Sequence, residues 1–231
     1  MRARTYAADD SHARTRGTLA RRIRSHPSGR GQGLVEFALV IPVFLVLVTG
    51  LIEFAFLMNG QLAINYATRD AALIAAEAGN AVGADCVILQ KVHDDVSAPA
   101  NPANISVIQI YWTNAKGQPL DTSGNVTTAG SANQAADVYV PGTTTCALAN
   151  GTTVTVPYSL QGAARYPETA RCTALLGTAA GCQSGHNGLD TIGVQLTYHA
   201  SWRTPLHTLI NLMGSGWTLT QSNQMGVEPV L

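Results

Sequence analysis

Two carboxylates, Glu36 and Glu53, stand inside residues 34–58, LVEFALVIPVFLVLVTGLIEFAFLM, a run that is otherwise uncharged. An ionised acid in hydrocarbon is expensive, so each needs a cation, a hydrogen-bond donor or a path to water. Glu36 lies five residues after Gly31, three after Gly33, and is followed by the aromatic Phe37. There it can meet a specific partner, or simply reach the interface beside a helix N-terminus whose dipole favours a carboxylate. Glu53, a secondary intramembrane acid, falls near the opposite interface and is expected to reach water.

The other reactive residues form no persuasive set. Cys172, Cys182 and His186 have the spacing C-x9-C-x3-H, which lacks the paired C-x2-C of common zinc sites. His93-Asp94-Asp95 reads as a solvated polar run in a loop. His199 and Ser201 share one strand face, but strand neighbours alone are not a triad. G-x-S-x-G, H-E-x-x-H and P-loop patterns do not occur. These residues argue against an enzyme and indicate no cofactor, no metal and no catalytic residue.

The element that must position both acids is a helix. The 25 residues of the apolar run would reach about 37 Å, enough to cross a hydrocarbon core of ~30 Å. A net charge of zero conceals a split: residues 1–31 carry eight arginines against Asp9 and Asp10, and the rest carries six Lys/Arg against twelve Asp/Glu. Basic residues beside a span stay cytoplasmic, which places the leader inside and the body outside. The run is too long for a secretory signal, and no clean A-x-A site precedes a polar mature start. A nucleic-acid-binding arm is the weaker reading, because the arginines abut an apolar helix rather than a DNA-reading motif.

Residues 1–30 lack apolar periodicity and end in Pro27, Ser28 and Gly29, the composition of a disordered leader. The helix should continue beyond the membrane through residues 61–78, where Ile64, Ala67, Ala71, Ile74 and Ala78 recur on one face. Pro42 is a candidate kink, Asn59-Gly60 a candidate bend and Gly79 a helix stop. Beyond Gly79 the signals become β-like: residues 104–113, 152–158, 192–203 and 217–221 read as strands. The third is the clearest, with Ile192, Val194, Leu196, Tyr198 and Trp202 on one face. Residues 205–213 read as a short helix or amphipathic turn, and residues 114–136 and 141–151 as long loops. All four cysteines follow the span, and an even count outside the membrane allows two disulfides in three connectivities. Cys172 and Cys182 close a short loop, which leaves Cys86 for Cys146; free buried thiols are the alternative.

These features together resemble the TadE-like pilus-assembly proteins, pseudopilins of the bacterial tight-adherence secretion system. The resemblance is carried by Arg30-Gly31-Gln32-Gly33-Leu34-Val35-Glu36-Phe37, by Gly50-Leu51-Ile52-Glu53-Phe54 with Ala67-Thr68-Arg69-Asp70-Ala71-Ala72, and more weakly by Val227-Glu228-Pro229. Residues 30–78 hold most of it. It implies a prepilin peptidase that cuts after a glycine at the cytoplasmic face, leaving a carboxylate at mature position five and an aromatic after it. On this chain that cut falls between Gly31 and Gln32, so that Glu36 and Phe37 take those places. A cut after Gly33 would put Glu36 at position three, and a leader of 31 residues is long for such precursors. The new α-amine on Gln32 would lie one helical turn from Glu36, or beside it on a neighbouring subunit, and paired charges cost far less than either alone.

The resemblance implies as partners the peptidase, other pilins or pseudopilins, an inner-membrane assembly platform and the lipid bilayer, with no nucleic acid. It implies a single pass through the bacterial inner membrane, N-terminus cytoplasmic and C-terminal domain periplasmic or extracellular. The expected fold class is α+β: a long N-terminal transmembrane and amphipathic helix followed by a small, mostly antiparallel sheet. The expected divisions are a leader at 1–31, a span at 32–59, a helix extension at 60–79 and a β-rich domain at 80–231. The competing reading is a signal-anchored periplasmic binding or scaffold module outside any pilus. Its partner would meet some of Tyr111, Trp112, Tyr139, Tyr158, Trp202 and Trp217, rings that equally suit a core. Sequons at Asn104, Asn125 and Asn150 would suit a eukaryotic glycoprotein, which the N-terminal pattern disfavours.

Overall fold

The computed structural model describes residues 29–173, 182, 186, 188–205, 214 and 216–227. Residues 1–28 of the expected leader, residues 206–213 of the short helix or amphipathic turn expected at 205–213, and Glu228-Pro229 lie outside the described residues. Helix α1 (Gly29–Ala78) runs without a break through Pro42 and Asn59-Gly60. It stops where expected: Gly79 takes a left-handed φ of 52°, and its amide returns to the Ala75 carbonyl at 3.0 Å. A division into two compact units falls within α1, between Phe44 and Leu45. In the first, the described chain is helix alone, with Leu34, Val35, Phe37, Leu39, Val40, Val43 and Phe44 all exposed.

The second unit is α+β, as expected. A five-stranded antiparallel sheet has the order β3-β2-β1-β4-β5, built from β1 (Ile105–Thr113), β2 (Ala136–Ala147), β3 (Thr153–Leu160), β4 (Thr191–Ser201) and β5 (Gly216–Gly226). Residues 141–147 are the second half of β2 rather than the start of a long loop. Pro141 and Gly142, which read as loop punctuation, sit where the β2–β3 register shifts, a bulge that absorbs them. Residues 84–95 are helix α2 (Ala84–Asp95), not β-like chain, and His93-Asp94-Asp95 is its last turn rather than a loop.

Alanine sets how closely α1 approaches the sheet. Ile64, Ala67, Ala71, Ala72, Ala75 and Ala76 are buried, whereas Ile74 and Ala78 of the expected face are only half-buried. Ile64, Ala67, Ala71, Ala72 and Ala75 pack in one core with Ile88, Leu89 and Val92 of α2 and Ile108, Ile110, Ile192, Val194 and Leu196 of the central strands. The sheet lies lengthwise on the helix. A methyl on Gly60 would stand 4.0 Å from Tyr198 and 3.8 Å from Leu219. Further along, Asn223 donates to Thr68 Oγ1 at 2.7 Å, and Val227 comes against Gly79. From Gly60 to Gly79 the helix rises about 28 Å, and eight residues of extended chain from Leu219 to Val227 cover about 27 Å. Helix and edge strand therefore stay in step over the whole contact.

Candidate functional site

The first candidate is the N-terminal part of α1. Gln32 Nε2 donates to Glu36 Oε1 at 3.3 Å, the i, i+4 contact that a helix creates between its neighbouring turns. Glu36 and Phe37 are exposed on the helix, and a methyl on Gly31 would touch nothing within 4 Å. The Gly31–Gln32 bond lies in the first turn of α1, where the leading amides have no intrahelical acceptor and the chain frays most readily. Geometry thus places the Gln32 backbone one turn before the Glu36 carboxylate.

Glu53 has a different surrounding from the one expected. It is 4% exposed and reaches protein backbone rather than water. Its Oε1 accepts the Arg203 amide and its Oε2 the Thr204 amide, each at 2.9 Å. The chain leaving β4 is thereby pinned to α1, and Arg203 Nη2 donates onward to the Pro99 carbonyl at 2.7 Å. Beside this clasp the rings of Trp202 and Trp217 stand 4.2 Å apart, and the Trp202 indole N–H donates to the Gly214 carbonyl at 3.0 Å. Both rings are half-buried, while Tyr111, Trp112, Tyr139 and Tyr158 are buried. A small cavity beside Trp217 is lined by that ring with Glu53, Phe56, Leu57, Gly60 and Arg203.

A third cluster is enclosed in the β-rich body. Fully buried Arg171 pairs through Nη2 with Asp85 Oδ1 and stands 5.3 Å over the Tyr166 ring. Burial works against its charge; the carboxylate of Asp85, with Tyr166 and Asp137, outweighs that and holds its pKa above the ordinary value. Asp85 Oδ2 accepts the Tyr139 hydroxyl at 2.7 Å, and burial together with Asp85 pushes that phenol far up. Asp190 takes the Tyr166 hydroxyl at 2.8 Å, the Cys172 amide at 2.9 Å and His186 Nδ1 at 2.6 Å, while the His186 ring stacks on Trp112. Glu168 accepts the Gly83 and Asp85 amides and so caps α2, which has no side-chain cap of its own.

The polar atoms of this cluster are mostly spent on one another, the pattern of a device that joins loops rather than a reaction centre. Disulfides Cys86–Cys146 and Cys172–Cys182 tie α2 to β2 and close the chain before β4, with Cα separations of 6.3 and 4.5 Å. Among the described residues no group of three His, Cys, Asp or Glu could hold a metal ion. Ser201 is exposed at the end of β4.

Residues 31–73 match the family model of TadE-like proteins. That segment holds Gly31, Gln32, Glu36, Phe37 and Glu53 and extends into the alanine face of α1. The resemblance read from the N-terminal motif is the family this match finds. No curated protein and no solved structure gives a significant match. The helix from Gly31 to Ala78 is long and apolar enough to cross a membrane.

Proposed function

We propose that this chain is a non-enzymatic, single-pass membrane protein of the pseudopilin type, needed to assemble a tight-adherence (Flp-type) pilus. A prepilin peptidase cuts it between Gly31 and Gln32. The leader then leaves with an excess of six positive charges, and a single cation remains on Gln32. The observation that carries this reading is the turn-to-turn contact of Gln32 with Glu36, inside the TadE-like segment. The same spacing would bring the new amine, on this chain or a neighbouring one, to the carboxylate. A charge-paired acid can be held at the edge of hydrocarbon, and an unpaired one cannot be held cheaply.

Intact-mass and N-terminal sequencing of the membrane-extracted protein tests the cut. A mature chain beginning at Gln32 is expected, and one beginning at Met1 or Arg2 removes the processing step. Glu36→Ala should leave insertion intact while assembly or processing is weakened. Exchange of residues 34–58 for an unrelated transmembrane helix that keeps a glutamate at position 53, and with it the clasp on the body, separates a pseudopilin, which should lose function, from a tethered binding module, which should keep it.

A further inference from the structure

We infer that the end of the β-rich body carrying Trp202, Arg203 and Trp217 rests in the lipid headgroup layer, so that the body lies on the membrane rather than swinging free of it. This rests on the reading of α1 as a membrane span. Three observations converge on it.

Position comes first. If residues 33–52, which are 20 in number, fill a hydrocarbon core of about 30 Å, then residues 53–57 pass through roughly the next 6–7 Å, the depth of the headgroup layer. Glu53 holds the Arg203 and Thr204 amides at that level, and Trp217 shares a cavity lining with Phe56 and Leu57. The tryptophans therefore meet α1 where it would leave the oil. Nearby Leu45, Leu47, Leu51, Ile52, Phe54 and Phe56 are exposed apolar residues of the same unit, so the proposed contact continues a surface that already needs lipid.

Chemistry comes second. Tryptophan is enriched at membrane interfaces because its ring is amphipathic, and here two rings adjoin each other. The Trp202 N–H is already bonded to the Gly214 carbonyl, so that ring can settle below the phosphates without an unpaired donor. Charge comes third. Residues 191–227 contain no Asp or Glu, and their one Lys or Arg, Arg203, is exposed. From residues 191–227 an anionic bilayer surface meets no carboxylate and one exposed guanidinium, while Glu53 stays buried on the Arg203 and Thr204 amides, which favours approach.

The test uses the full chain in vesicles of phosphatidylcholine and phosphatidylglycerol whose acyl chains are brominated near the headgroup or near mid-chain. Trp112→Phe leaves Trp202 and Trp217 as the emitters; if that variant does not fold, subtracting the emission of the Trp202→Phe/Trp217→Phe variant from wild type gives the same signal. Leu47→Trp, added to that double variant, reports on the span itself. The expected result is that headgroup-proximal bromine removes most of the Trp202 and Trp217 emission, and mid-chain bromine quenches the tryptophan at position 47. Quenching at position 47 with none at 202 and 217 overturns the inference and keeps the anchor. In that case a blue shift of the pair with rising protein concentration would point to a second copy as what covers the rings. Quenching at neither place removes both the inference and the membrane reading on which it rests.

Discussion

Removal of the Glu53 side chain isolates what the buried carboxylate does. Both oxygens are used, each by one backbone amide at 2.9 Å, and the residue is 4% exposed, so water cannot simply replace them. Hydrogen bonds to a charged acceptor contribute about 1.5–3 kcal/mol each, and a donor left buried without a partner costs about 1–3 kcal/mol. Glu53→Ala should therefore weaken the local clasp by about 3 kcal/mol, while Glu53→Gln, which keeps one carbonyl oxygen, should lose about half of that. The consequence is local because the amides belong to Arg203 and Thr204, at the exit of β4, and not to the sheet ladder, which ends at Ser201. Hydrogen exchange of the full chain in detergent micelles or nanodiscs reads it directly. At about 1.4 kcal/mol per tenfold, the two amides should exchange roughly 100-fold faster in Glu53→Ala and about tenfold faster in Glu53→Gln. The Ile108, Val194 and Leu196 amides of the central strands should not change. Unaltered exchange at 203 and 204 in the alanine variant would refute the clasp, and uniform acceleration across the sheet would show that Glu53 supports the fold globally instead.

Two further predictions concern the body. Gly193 lies directly opposite Tyr111 in the β1–β4 pairing, and a methyl there would run into the Tyr111 ring; Gly193→Ala should lower stability by about 1–3 kcal/mol, and much less in a Tyr111→Ala background, which a double-mutant cycle by chemical denaturation measures. Asp137 accepts the Arg165 and Tyr166 amides at 2.5 and 2.9 Å, yet burial, aided by the nearby Asp85 carboxylate, holds its pKa above the ordinary 3.8. A raised folded-state value means that the proton binds more tightly in the fold, so the contribution of Asp137 is fully present below 3.8 and is lost as pH rises through the raised value. Asp137→Asn keeps an acceptor for both amides and removes the titration. Its stability should then decline less than that of wild type between about pH 4 and neutrality, and parallel profiles would contradict the assignment.

Much of the architecture was legible because a few elements are long and strongly patterned. The 50 residues of α1 announce themselves by composition, and β4 by strict alternation from Ile192 to Tyr198. Helix α2 was not, although Asp85, Ile88, Leu89 and Val92 recur at helical spacing. It is short, it opens on the left-handed Gly83 rather than a capping side chain, and its cap arrives from Glu168, 85 residues away. The Thr-rich end of β2 was hidden by Pro141-Gly142, which signal a loop unless a bulge is available to hold them. Glu53 was misjudged for the same kind of reason: its donors are backbone amides 150 and 151 residues distant, and backbone amides leave no mark in a sequence.

The two acids of α1 are met very differently by the chain around them. Glu53 is satisfied twice over by the chain's own backbone, so its charge needs nothing from outside. Glu36 receives one described hydrogen bond, a neutral amide contact at 3.3 Å, which would be too weak to compensate a carboxylate at the edge of hydrocarbon, where the proposed span would put it. Such an acid is reasonable in a span if its partner appears only later, as an amine made by cutting the chain or as a group on another subunit. The asymmetry between a charge already answered and one left open is therefore the best physical reason to look for function at residue 36 rather than residue 53.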